Sequence, residues 1–173
     1  MSKLNSFKRL VLTAVAVTGT AFIAIQFIPV HGRTNPPASP EKSLFARVSV
    51  TPEVQGIMRK ACMDCHSNET RWPWYAQIAP MSWLVAGDVE KARKVFNVSE
   101  WADHEGKRKG TAMGALMAAC QGVKDKKMPR PQYQMMHPEA RLSDADVQTF
   151  CTWSVAAIRE LKSAPVRSAQ LAR

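Results

Sequence analysis

The chain has 173 residues, room for one ordinary domain with appendages, and its 24 basic and 14 acidic residues leave a net charge of +10. Four of the basic residues, Lys3, Lys8, Arg9 and Arg33, bracket an apolar segment, so residues 41–173 keep +6. That is a basic surface without a basic-aromatic motif for DNA or RNA, and no nucleic-acid partner is expected.

Residues 1–9 are short and positive, and read as a cytoplasmic N-terminus. Residues 10–30, LVLTAVAVTGTAFIAIQFIPV, carry no charge over 21 positions. That length can cross a bilayer as a helix. Positive charge ahead of it predicts that everything from Arg33 onward is exported. A cleaved signal peptide is the rival, with Gly19 and Ala21 suitably small for cleavage after Ala21. Apolar residues continue past that point, however, through Phe22, Ile23, Ile25 and Phe27, which favours a retained anchor. Either way the following domain is exported, and with the anchor retained the expected location is the bacterial inner membrane with that domain in the periplasm. Residues 31–50 open with HGRTNPPASP and read as a proline-rich linker that holds the domain off the membrane.

Residues 51–162 are the expected domain. Thr51-Pro52-Glu53 is a helix start: an oxygen cap, a proline in the first turn and an acid at the positive dipole end. Val54, Ile57, Met58 and Ala61 form one apolar stripe. This helix runs into Cys62-Met63-Asp64-Cys65-His66. Two thiols three positions apart with a histidine next to the second is the spacing of a haem c attachment site. The thiols can add to the two vinyl groups on one edge of the macrocycle, and the imidazole of His66 can take the iron as proximal ligand. A zinc site would need a second paired cluster, whereas Cys120 and Cys151 stand alone. A redox dithiol would need a βαβ setting.

The next stretch, Ser67 to Tyr75, is dense in aromatics. It reads either as a wall of the haem pocket, with an indole or the Tyr75 hydroxyl reaching a propionate, or as core packing. A second helix is expected from about Ser82 to Val95, with Leu84, Val85, Val89 and Ala92 available to face inward. A third runs from Trp101 or Thr111 to Val123, its apolar face built of Met113, Leu116, Met117, Cys120 and Val123. The charged Lys107-Arg108-Lys109 leaves its start open. Residues 124–142, broken by Pro129, Pro131 and Pro138, read as an irregular loop. Ser143 then caps a last helix with Asp146 as the acid of a capping box. Val147, Phe150, Cys151, Ser154, Ile158 and Leu161 share its inner face. Residues 163–173 form a small, basic, flexible tail. With no convincing strand, the fold class is all-α.

The iron needs a ligand opposite His66 or an open position. Met128 in Lys126-Lys127-Met128-Pro129 is the leading candidate for that distal place, with His137, Met135, Met136 and an open iron as alternatives. His31 and His104 read as solvent-exposed. The haem takes two of the four cysteines, and an oxidising compartment would pair the others, Cys120 with Cys151, unless both stay as buried free thiols.

The segments QFIPV, RTNPP, CMDCHSNETRWPWY, IAPMSW, the Met-Pro loop and HPEARLSDADV, in that order, resemble the bacterial haem-binding domain family of membrane-anchored c-type cytochromes. The resemblance covers Gln26 to Leu161. It implies a small cytochrome-c-like helical domain with one covalent haem c on Cys62, Cys65, His66 and Met128. Cys120 and Cys151 depart from the family pattern, as does Arg130, which stands where a second proline often follows Met-Pro.

The expected function is a monohaem electron carrier rather than an enzyme, with His/Met-ligated iron, tethered by its N-terminal helix and serving a redox partner protein. A basic run around Met128, namely Lys124, Lys126, Lys127, Arg130 and Arg141, suggests an acidic partner. The alternative is a peroxidase-like haem enzyme or a gas or redox sensor with a displaceable distal ligand, for which His137 beside Glu139 is the one suggestive acid/base pair.

Overall fold

A computed structural model describes residues 2–101 and 111–163. Among them it has seven α-helices and no strand, in agreement with the all-α expectation. His104, Lys107-Arg108-Lys109 and the tail beyond Ser163 lie outside the described residues.

The chain divides into two units, one with Met1–Arg33 and Trp72–Asp88, the other with Thr34–Arg71 and Val89–Arg173. The first contains α1 (Ser2–Ile25), a 3-10 turn (Trp74–Gln77) and the first part of α4 (Met81–Val95). The window Asn5–Ile25 is long and apolar enough to cross a membrane, and none of it is buried. Just beyond α1, the Gln26 side chain clasps the backbone of Ala79. Its Oε1 accepts from Ala79 N at 2.9 Å and its Nε2 donates to Ala79 O at 3.2 Å. Arg33 Nη1 donates to Ala76 O at 2.8 Å. Leu84 is exposed rather than inward-facing. Trp74 is 69% exposed, so core packing does not describe it.

The second unit holds the apolar core. α2 (Pro52–Ala61) starts as its sequence dictates: Thr51 Oγ1 accepts from Val54 N at 3.3 Å, and Val54, Ile57 and Met58 are buried. The short α3 (Met63–His66) follows directly. α5 (Thr111–Lys124) and α7 (Asp144–Ser163) pack on one another, and α7 also meets α2. Leu116 and Phe150 are fully buried among them. Burying each such side chain contributes about 1.5–3 kcal/mol. Cys120 of α5 and Cys151 of α7 form a disulfide with Cα atoms 5.0 Å apart.

Three expectations need correction. Residues 34–50 are not a free spacer: Leu44 and Val48 lie in the core. Ser49 N and Oγ donate to the Glu160 carboxylate, and Trp153 Nε1 donates to Ser49 O at 2.9 Å. The apolar residues after Pro40 are too few to give a periodic signal, yet Leu44 and Val48 fill core positions and Phe45 and Val50 pack against them. Met117 is 64% exposed and belongs to no core face. Residues 124–142 are ordered into α6 (Pro131–Met136) and a 3-10 turn, Pro138–Ala140. Pro131 and Pro138 start these elements, because a first-turn proline has no amide hydrogen to waste.

Candidate haem site

The last turn of α2 hands the chain to α3 without a gap. Cys62 N still donates to Met58 O, while Cys65 N and His66 N both donate to Cys62 O, at 3.1 and 2.8 Å. The two thiols and the imidazole are therefore gathered on one tight turn. Neither cysteine is in a disulfide, and both are half-buried. Burial, and then the neighbouring Cys65, push the Cys62 thiol up to about 12, so it is a neutral S–H.

His66 is fixed by backbone. Its Nδ1 lies 2.9 Å from the carbonyl oxygen of Phe96, which can only accept, so the proton sits on Nδ1 and the Nε2 lone pair is free. The Phe96 ring meets the imidazole edge-on at 5.3 Å, and Trp101 backs Phe96 in the same manner at 5.7 Å. Burial lowers the His66 pKa, against the pull of the Phe96 and Ala92 carbonyls, and so favours the neutral ring that a metal needs. His66 O in turn accepts from Val98 N at 2.7 Å.

A polar network clamps the turn from behind. Asp64, between the thiols, accepts from Arg71 N, Nε and Nη2 at 3.0–3.2 Å and from the Tyr133 hydroxyl at 2.7 Å. Asn68 is satisfied on every side. Its N donates to Ser99 Oγ, its Nδ2 to Pro37 O and Glu100 Oε1, and its Oδ1 accepts from Asn97. Arg93 bridges Ser67 O, Thr34 O, Asn35 Oδ1 and Thr70 Oγ1 at 2.7–3.0 Å. Burial pulls its pKa down from the usual guanidinium range, and the nearby Cys65 opposes this. Fully satisfied buried networks of this kind rigidify what they surround.

Met128 lies on a different element. Its side chain packs over Gly122 of α5, where an added Cβ would stand 3.5 Å from Met128 Cγ. Lys126 takes the left-handed conformation (φ 56°), and Lys127 N and Met128 N both turn back onto Gly122 O at 2.9 and 3.0 Å. Its segment is tied to the Cys62–His66 turn through Tyr133, five residues on, which bonds to Asp64. Of the distal alternatives, Met135 and Met136 are largely exposed. His137 is stacked on Tyr133 at 4.3 Å with its Nδ1 3.1 Å from Glu139 Oε1. His31 is exposed, as expected.

The donor chemistry fits a haem better than a bare ion. Among the described residues no three His, Cys, Asp or Glu side chains converge on a common point. A tetrahedral zinc would require that convergence. A haem does not, since thiols bond the edge of the macrocycle and only the imidazole faces the iron. Asp64, Tyr133, Arg93 and the Phe96 carbonyl escaped the sequence reading. An acid between Cys62 and Cys65, with Arg71 seven positions on, is the hint the sequence offers.

No curated protein and no solved structure matches the chain. A family model described as haem-binding domain matches residues 20–156. Since that match takes in the end of α1, the Cys62–His66 turn and most of α7, the chain belongs to the haem-binding domain family.

Proposed function

We propose that the chain is a membrane-tethered monohaem c-type cytochrome whose work is electron transfer. The observation that carries this reading is the 2.9 Å contact between His66 Nδ1 and the Phe96 carbonyl, beside two cysteines outside any disulfide on the same turn. It leaves Nε2 as the ligating atom and sets the ring's orientation before any iron arrives. Cys62 and Cys65 would each form one sulfur–carbon bond to a vinyl group, the thiol proton passing to the adjoining carbon. Once bound, the haem supplies a one-electron couple at its iron. The chain's own contribution is to hold the ligands still and keep water out. The hydrogen bonds of Asp64, Asn68 and Arg93 serve the first purpose, and the packed Phe96 and Trp101 rings the second.

Met128 is the proposed distal ligand. Its support is the pairing of Tyr133 with Asp64, which ties the Met128 segment to the attachment turn, and the buried Pro129 that stiffens it. A methionine thioether opposite histidine raises the potential and suits a carrier. The span of α1 supports a tether that leaves the haem domain outside the cytoplasm.

Two measurements test the proposal. A pyridine haemochrome spectrum of the exported protein should be that of haem c. Intact mass should show one haem attached, and Cys62→Ser with Cys65→Ser should abolish the attachment. Met128→Ala should remove the near-infrared sulfur-to-iron band of the oxidised protein and open the reduced iron to carbon monoxide. If His137→Ala does this and Met128→Ala does not, the distal assignment is wrong. If the unmodified protein binds carbon monoxide readily, the sensor or peroxidase-like reading replaces the carrier.

A further inference from the structure

The stretch from Trp72 to Gly87, WPWYAQIAPMSWLVAG, contains three tryptophans, a tyrosine and no charged residue. In a chain that is 22% charged, such a run on a surface needs a reason. Much of it is on the surface. Trp74, Ile78, Met81 and Leu84 are 69%, 40%, 41% and 54% exposed. The end of the apolar helix belongs to the same unit. There Phe27 and Ile28 are exposed too. The Gln26 clasp on Ala79 and the bond from Arg33 to Ala76 fasten that end directly to the uncharged stretch.

From this juxtaposition we propose that residues 73–84 lie on the lipid bilayer, as an interfacial patch beside the point where α1 leaves the membrane. The inference rests on the reading of α1 as a retained span. The physical argument has three parts. If α1 crosses the hydrocarbon, its last turn marks the outer interface. Ala79 is then held within a hydrogen bond of Gln26, the residue that follows that turn. An indole is amphipathic, and Trp and Tyr collect where acyl chains meet headgroups. The missing charges remove the cost of partial entry, and apolar side chains such as Ile78 and Leu84 gain by leaving water. A second copy of the chain could cover the same apolar surface, but only the bilayer is already joined to it through α1.

The test uses the full-length holoprotein in nanodiscs of phosphatidylcholine and phosphatidylglycerol, doped with a phosphatidylcholine that carries a diazirine on its acyl chain. After irradiation, tryptic peptides are mapped by mass spectrometry. Lipid adducts are expected on the span peptide, residues 10–33, and on residues 72–91, but not on residues 142–159 of the core helix. The double variant Trp74→Glu, Ile78→Glu should lose at least about half of the adducts on 72–91 while those on 10–33 stay. Its haem absorption spectrum reports whether it still folds. Labelling of 10–33 without 72–91 overturns the interfacial patch and leaves the tether standing, as a second copy covering the face would do. Equal labelling of 72–91 and 142–159 overturns it as well. Labelling of neither 10–33 nor 72–91 removes the tether, and the patch falls with it.

Discussion

Asp64 shows how much a single residue between Cys62 and Cys65 contributes. With four hydrogen bonds from Arg71 and Tyr133, its carboxylate joins the turn that carries the thiols to the segment that carries Met128. Tyr133→Phe removes one charge-assisted bond and is expected to lower the holoprotein's unfolding free energy by about 1.5–3 kcal/mol in denaturant titration. The haem should remain attached. Burial, and then the bond to Asp64, raise the Tyr133 pKa above its ordinary 10.0. A folded pKa above the unfolded one gives stability that is complete below pH 10 and lost as pH climbs toward the folded value. Wild type should therefore lose stability above pH 10 faster than the Phe variant does. Parallel curves would show that the phenol is not the titrating group. Lys126 is the other residue with a consequence. A left-handed non-glycine costs about 1 kcal/mol, so Lys126→Gly should stabilise the protein by roughly that amount. The thiols and histidine are legible in the sequence because their spacing is local and chemically specific. The acceptor of His66 is not, because a backbone carbonyl has no letter, and Tyr133 stands 69 positions from its partner.

Helix starts were the most readable elements, since caps are written in adjacent residues. At α7, Ser143 N donates to Asp146 Oδ2 at 2.9 Å and Asp146 N donates to Ser143 Oγ at 3.1 Å, the reciprocal pair expected there. Lys60 of α2 adds an ion pair to the same carboxylate at 3.1 Å. The Ser143 backbone first, and Lys60 among the lesser causes, hold the Asp146 pKa below its ordinary 3.8. A lowered acid pKa stabilises at pH above 3.8 and ceases to as pH falls through the folded value. Asp146→Ala should cost about 1 kcal/mol at neutral pH, and a difference that does not shrink as pH falls below 3.8 would contradict this. The bond between Cys120 and Cys151 joins α5 to α7 across 31 positions. Alkylation of the unreduced protein should add no group at these cysteines, and Cys120→Ala with Cys151→Ala should cost about 2–4 kcal/mol. Cysteine arithmetic anticipated that pairing, whereas α6 was hidden: prolines that break a helix when central look the same in sequence as prolines that begin one. Residues 40–50 are hidden in the sequence for a related reason. Two 3-10 turns leave no period, and only Leu44 and Val48 reveal their burial.

At the scale of the whole molecule, the positive charge is not spread evenly. Lys124, Lys126, Lys127, Arg130 and Arg141 are all exposed around the Met128 segment, and the acids among them are Asp125 and Glu139. Asp125 is already engaged: Lys127 and then Gln121 hold its pKa down by hydrogen bonding. Exposed pairs of this kind are worth little in stability, so folding alone gives no reason to cluster these cations. A carrier with the proposed distal ligand has another reason. The face that carries Met128 would be the one an electron partner must reach, and positive charge there would orient an acidic protein during encounter. The expected effect is on the association rate, because rim charges steer approach more than they tighten the final complex. Lys126→Glu with Lys127→Glu should slow second-order electron transfer to an acidic acceptor by about tenfold or more at low salt. It should also flatten the salt dependence, as screening lengths fall to about 10 Å near 0.1 M. The absorption spectrum should not change, since neither side chain is placed as a ligand. Stopped-flow reduction with a neutral small-molecule reductant provides the control and should proceed at the wild-type rate. If the reversed protein keeps the wild-type rate and salt dependence with the acidic acceptor, electrons leave by another face.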